Sequence, residues 1–192
     1  CIRLRPYQNG ESKLIDVQQI IPLPEAEDYQ IQVSRREKEG RQQRSEKNAL
    51  QLRFWTQLVA MAKEKNARHC TRKPSEYHYL AASTGFSGIS LNYSLKSYEA
   101  MVDLYIDVGD ETRNKQIFDE LLTHREAIEA AFGGELEWER LNHRRACRIK
   151  HDITSGGLRS PESEWPAIQS EMIDGMNRLE TALLPAIGEL NV

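Results

Sequence analysis

The chain has 192 residues, 39% of them hydrophobic and 29% charged, which leaves room for one ordinary domain plus an appendage under a heavily solvated surface. Its formal net charge of -3 is too small to argue for or against a nucleic-acid partner, so only local charge clusters can do so. Cys1, Cys70 and Cys147 are odd in number and lack metal-ligand spacing, which excludes a disulfide scaffold and suits reduced thiols in a cytoplasm. No apolar run approaches the roughly 18–20 residues that span a bilayer.

A strand pattern begins at once. Ile2 and Leu4 alternate with Arg3 and Arg5, and Leu14 to Ile21 answers them across the turn dipeptide Asn9-Gly10. Residues 1–24 therefore read as a β-hairpin with one apolar face, ended by Pro22 and Pro24. Two strands are marginal alone, so the ribbon is expected to be the tail of an upstream domain in a longer protein. Residues 25–47 are charged and poor in apolar side chains, as in Arg35-Arg-Glu-Lys-Glu-Gly-Arg-Gln-Gln-Arg44. They read as a solvated linker, partly helical and interrupted by Gly40.

Residues 48–188 read as the domain proper. Leu50, Phe54, Leu58 and Met61 recur at helical spacing. Ile89, Leu91, Tyr93 and Leu95 alternate with polar residues in one strand, and Val102, Leu104 and Ile106 alternate with Asp103, Tyr105 and Asp107 in the next. Asp110 is suited to cap a helix that carries Ile117, Leu121, Ile128 and Phe132 and stops at Gly133-Gly134. Leu136–Leu141 and Arg145–Ile153 read as two further strands. A last helix uses Trp165, Ile168, Met172, Met176, Leu179, Leu183 and Ile187. The expected fold class is α+β: an antiparallel sheet of about four strands packed by amphipathic helices, behind a hairpin and a charged linker.

Phe54-Trp55, Thr84-Gly-Phe-Ser-Gly-Ile-Ser-Leu-Asn-Tyr93, Leu104-Tyr-Ile-Asp107, Asn114-Lys-Gln-Ile-Phe-Asp119, Leu136-Glu-Trp-Glu-Arg-Leu141 and Arg144-Arg-Ala-Cys-Arg-Ile149 follow one another in this order. On these residues the chain resembles the prokaryotic domain-of-unknown-function family 4268 (DUF4268). Cys1-Ile-Arg-Leu-Arg-Pro-Tyr7 and Asp16-Val-Gln-Gln-Ile-Ile-Pro-Leu-Pro-Glu25 look like the end of the module that often precedes that domain, which resembles the restriction-endonuclease-like nuclease fold. The resemblance implies a C-terminal accessory domain of a nuclease-like protein used in genome defence, with no catalytic residues to carry over.

A restriction-type nuclease needs an acidic residue and, on the next strand, an acid-x-Lys pair, so that carboxylates hold Mg²⁺ and lysine orients water. Glu11-Ser-Lys13 has that spacing but sits in a turn with no acidic strand before it. Asp103 and Asp107 share a strand face with α-carbons about 13 Å apart, too far to chelate one ion without a third acid such as Glu137 or Glu139. The plainer reading is a polar sheet face. Gly85-Phe-Ser-Gly88 precedes a strand, not a helix, and reads as a turn rather than a phosphate loop. His69-Cys70 lacks further ligands, and Cys147 is expected to face the core.

The densest charge is Arg140, Arg144, Arg145, Arg148 and Lys150, with His143 and His151 able to add to it below about pH 6.5. Such a row suits phosphate contacts; the plainer alternative is pairing across the sheet with Asp103, Asp107, Glu137 or Glu139. The leading expectation is an accessory domain that binds DNA or a protein partner through these five cations, without catalysis of its own. One alternative is a divergent nuclease with Asp103 and Asp107 as metal ligands, the case in which a Mg²⁺ cofactor is expected. The other is a protein-interaction module forming a homo-oligomer. No membrane partner is expected.

Overall fold

The computed structural model describes residues 2–19 and 24–190, and these divide into two compact units, 1–47 and 48–192. The expected strand residues Ile20 and Ile21, with Pro22, lie outside the described residues. In the first unit β1 (Ile2–Asn9) and β2 (Ser12–Gln19) pair antiparallel, Asn9 facing Ser12. The turn residues are thus Gly10 and Glu11, one step later than Asn9-Gly10. Gly10 takes φ 62, the left-handed first position that a two-residue hairpin turn asks of glycine. Ile2, Leu4, Ile15 and Val17 share one ribbon face and are all largely exposed.

The charged segment is helical. Helix α1 (Pro24–Glu64) opens with proline at its first position, where no intrahelical N–H is needed, and runs through Gly40 without a break. The polar portion is laced by pairs one turn apart, Arg35 to Glu39 at 3.0 Å and Arg41 to Glu37 at 3.6 Å. Such exposed pairs add only a few tenths of a kcal/mol each, roughly enough to offset an interior glycine.

The second unit holds a five-stranded antiparallel sheet, β3 (Tyr79–Ser83), β4 (Ile89–Leu95), β5 (Ala100–Ile106), β6 (Glu137–Glu139) and β7 (Cys147–Ile153), in the order β3-β4-β5-β7-β6. One more strand is present than the alternation pattern suggested. Tyr79-Leu-Ala-Ala-Ser is too short and too poor in large apolar residues to announce β3. The expected strand 136–141 shrinks to three residues, because the chain turns away at Arg140.

One sheet face is core. Leu80, Leu91, Tyr93, Val102, Leu104 and Ile149 point into a cluster completed by the C-terminal half of α1 and by α4 (Trp165–Glu189). Phe54 meets Trp165 edge-on at 5.2 Å, and buried Gln169 donates to the Phe54 carbonyl, so the two helices are keyed by both packing and a hydrogen bond. The single helix expected over 110–133 is two, α2 (Glu111–Thr123) and α3 (Arg125–Phe132), broken at His124. The break separates two tasks: Ile117, Phe118 and Leu121 are buried on α2, while α3 packs against α4 through Ile128 and Phe132. Gly133 ends α3 in the left-handed conformation, φ 78. Among the described residues no helix is long and apolar enough to cross a membrane.

His69 lies in a short 3-10 turn (Arg68–Thr71), fully buried, with Nε2 donating to the Leu91 carbonyl and its ring 4.3 Å from that of Tyr93. Desolvation pulls its pKa from 6.5 down to about 4, against the upward effect of the Leu91 bond. The folded state therefore needs the neutral imidazole. Its contribution is complete above pH 6.5 and is lost as pH falls from there through about 4. The loss is up to about 3 kcal/mol. Urea melts at pH 7 and pH 4 are expected to show this extra acid lability in the native protein and not in His69→Gln. Parallel pH slopes in the two proteins would show that His69 titrates normally.

Candidate functional site

Helices cover one face of the sheet, and the other carries the polar side chains. Strand register sets them in rows. Ala81, Asn92, Asp103, Lys150 and Glu137 form one row, and Ser83, Ser90, Tyr105, Arg148 and Glu139 the next. Tyr79, Ser94, Met101 and Asp152 form a third. Cys147 and Ile149 point to the core as the alternation requires, while Arg148 and Lys150 share the polar face.

The rows place most of the basic side chains beside acids. Lys150, almost wholly buried, bonds Glu137 at 2.8 Å and also Asp152. Burial pulls its pKa down, but those two carboxylates outweigh it and the ammonium is held charged. Arg148 lies 3.6 Å from Glu139 and places its guanidinium 5.9 Å from the centre of the Tyr105 ring. Arg145 makes a two-pronged pair with Asp107, both contacts 2.8 Å, and Arg140 makes another with Asp119 at 2.8 and 2.9 Å. Hydrogen bonds from these arginines hold both carboxyls below the usual range. Arg144 is exposed and has no acidic partner among the described residues.

The two aspartates part company. Asp107 lies just past the end of β5, and Asp103 is buried in mid-sheet, accepting from Asn92 Nδ2 at 2.8 Å and Ser94 Oγ at 3.2 Å. Desolvation pushes the Asp103 carboxyl up, and those two bonds pull it partly back. Glu137 and Glu139 are not on a neighbouring strand of β5, since β7 intervenes, and they serve Lys150 and Arg148 instead. Among the described residues no three His, Cys, Asp or Glu side chains are grouped to hold a metal ion. Gly85 and Gly88 belong to the turn joining β3 to β4, while Glu11 is in the hairpin turn and Ser12 and Lys13 open β2. Burial raises the Cys147 thiol, away from a reactive thiolate.

Sequence reasoning passed over a second group. Tyr77 and Tyr79 are exposed and stacked, ring centres 6.1 Å apart and planes 26° apart. Arg72 and Lys73 line a hollow with these tyrosines and, like Arg144, have no acidic partner among the described residues. Tyr79 continues into an adjoining cavity of about 510 Å³ over the polar sheet face, lined also by Tyr105, Arg144 and Arg148. The signal available was the aromatic spacing Tyr77-His-Tyr79 after Arg72-Lys73, which carries meaning only once β3 is known to be an edge strand.

The loop between β6 and β7 is held by one side chain. Lys115 Nζ of α2 approaches the carbonyl oxygens of Arg140, Leu141, Arg144 and Ala146 at 2.7 to 3.1 Å. Three N–H donors serve four acceptors, so some bonds are shared. Neighbouring Asn114 donates to the Arg145 carbonyl and accepts from the Val108 N–H. Leu141, at φ 52, adopts a conformation unfavourable for its branched side chain, and the ammonium bonded to its carbonyl holds it there. Lys115→Met, similar in length but without donors, is expected to lower stability by about 2–4 kcal/mol. Urea denaturation reads the loss, and hydrogen exchange should accelerate first at residues 140–146. An unchanged melting curve would mean that water can replace the ammonium.

No curated protein and no solved structure matches this chain. The model of one family does, over residues 50–187, which takes in the sheet, its helices and the loop that Lys115 holds. The chain therefore belongs to the family described as domain of unknown function (DUF4268).

Proposed function

We propose that this domain is a non-catalytic accessory module that binds single-stranded nucleic acid for a nuclease-like protein. The observation that carries the reading is the exposed, stacked Tyr77–Tyr79 pair where the chain enters the edge strand, beside Arg72 and Lys73, which have no acidic partner among the described residues, and next to Arg144. A sheet face with accessible aromatic rings and flanking cations suits unpaired bases, which stack on the rings while phosphates meet the cations. A duplex hides those base faces. The basic run from the β6–β7 loop into β7 contributes less than its sequence implies, because Arg140, Arg145, Arg148 and Lys150 are paired with acids.

The association with a nuclease is supported by the resemblance of the first residues to the end of a restriction-endonuclease-like module. The exposed apolar ribbon face of Ile2, Leu4, Ile15 and Val17 is the kind of surface such a module would cover.

Fluorescence anisotropy with labelled single-stranded DNA, single-stranded RNA and duplex DNA tests the proposal. Single strands are expected to bind more tightly than duplex, and more weakly as salt rises. Tyr77→Ala/Tyr79→Ala should cost about 1–3 kcal/mol per stacked base. Arg72→Ala/Lys73→Ala should flatten the dependence of log K on log salt by about 0.7 for each phosphate contact removed. Absence of binding at low salt, or binding indifferent to both double variants, would overturn the reading.

A further inference from the structure

The cavity beside Tyr79 has a floor that the sheet leaves incomplete. Asn92 is only 7% exposed and Asp103 only 2%, and both line it. The Asn92 amide is oriented without ambiguity: its NH₂ group must face the Asp103 carboxylate, 2.8 Å away. Its Oδ1 then points away from that carboxylate, closed to solvent and without a hydrogen-bond partner. Asp103 has one oxygen bonded by Asn92 and the other by Ser94, which leaves each with a second lone pair. The floor thus offers acceptors and asks for donors. Tyr79 and Tyr105 border it with ring surfaces, and Arg144 and Arg148 stand at the cavity with their positive charges.

Donors on a flat ring, flanked by aromatic faces and followed by an anion, describe a nucleotide. We propose that this cavity is a nucleotide site selective for bases bearing an exocyclic amino group, guanine best of all. Guanine presents adjacent N1–H and N2–H donors, which match the two oxygens of a carboxylate. Adenine and cytosine offer one amino group each. Uracil and thymine set a lone N–H between two carbonyl oxygens, and those would face the Asp103 oxygens as acceptor against acceptor. The phosphate falls to Arg144, which stands at the cavity with no acidic partner among the described residues. The nucleotide comes either free or as one unpaired unit of a strand, and in the second case the inference deepens the single-strand reading above.

Calorimetric titration of the full chain with GMP, AMP, CMP and UMP tests the base term. GMP is expected to bind best and UMP at least about tenfold more weakly than GMP. Asp103→Asn should abolish the preference. Should that buried variant fail to fold, exposed Arg144→Ala decides instead: it should weaken GMP about three- to tenfold while leaving guanosine unchanged. Equal binding of all four nucleotides, or no loss of GMP affinity in Arg144→Ala, would overturn the site.

Oligothymidylate, with and without a single central guanosine, separates the sources. Tighter binding of the guanosine strand places the site on nucleic acid. GMP selectivity without binding of either strand assigns it to free nucleotide and overturns the single-strand reading alone. Equal binding of both strands with no selectivity among mononucleotides overturns the site and leaves the Tyr77–Tyr79 platform standing. No binding of strand or mononucleotide overturns both.

Discussion

A buried ammonium governs the geometry of this domain. Lys115 gathers carbonyls from four positions of the β6–β7 loop, and a charge so enclosed is tolerable because each donor is satisfied. The loop in turn sets where Arg144 and Arg145 leave the backbone. Asn114, one residue earlier on the same helix, ties the end of β5 to the same loop through Val108 and Arg145. The N-terminal turn of α2, anchored by the Asp110 carboxylate on the Arg113 N–H, is therefore the clamp for one end of the sheet. The run Asn114-Lys-Gln-Ile-Phe-Asp119 thus has a structural task at almost every position. Asn114 and Lys115 hold the loops, Ile117 and Phe118 fill the core, and Asp119 receives Arg140.

Antiparallel register does the rest of the electrostatic work. A strand with cations on alternate residues looks in sequence like a phosphate track. Placed between a strand bearing Asp103 and one bearing Glu137 and Glu139, it becomes the middle of a network instead. Exposed ion pairs contribute little to stability, but they change what a surface can attract. A guanidinium already gripping a carboxylate has to give up that partner before it can serve a phosphate. Among the described residues, Arg72, Lys73 and Arg144 lie outside the network, and all three stand near tyrosines.

Much of the fold was legible before any coordinates. The alternation of Ile89–Leu95 and Val102–Ile106, the inward face of Cys147 and Ile149 and the stripe of the last helix are period-two or period-3.6 signals whose apolar positions are buried, and the cap at Asp110 is in place, although Asn92, Ser94 and Asp103 on the polar face are buried as well. The missed pieces share a cause: each depends on a partner in another element rather than on its own pattern. β3 is an edge strand of small residues whose identity comes from pairing with β4. The break at His124 follows from α3 turning toward α4. The fate of Arg140, Arg145 and Lys150 follows from the acids that register brings to them. Lys115 carried no signal at all, since a lone lysine on an amphipathic helix reads as solvated surface.

The polar face also shows why a charge count is a poor guide to a site here. Its centre is assembled from acceptors, Asn92 and Asp103, held so firmly by each other and by Ser94 that they cannot relax toward alternative partners. Free lone pairs on so enclosed a carboxylate are costly in the empty protein, and a ligand that brings donors to them relieves the cost only in the bound state. Affinity obtained in this way discriminates by hydrogen-bond pattern, whereas cations at the rim attract any anion alike. The combination of a fixed acceptor floor with a few unpaired cations is therefore suited to choosing among ligands of the same charge, and the four nucleotides differ from one another in just that respect.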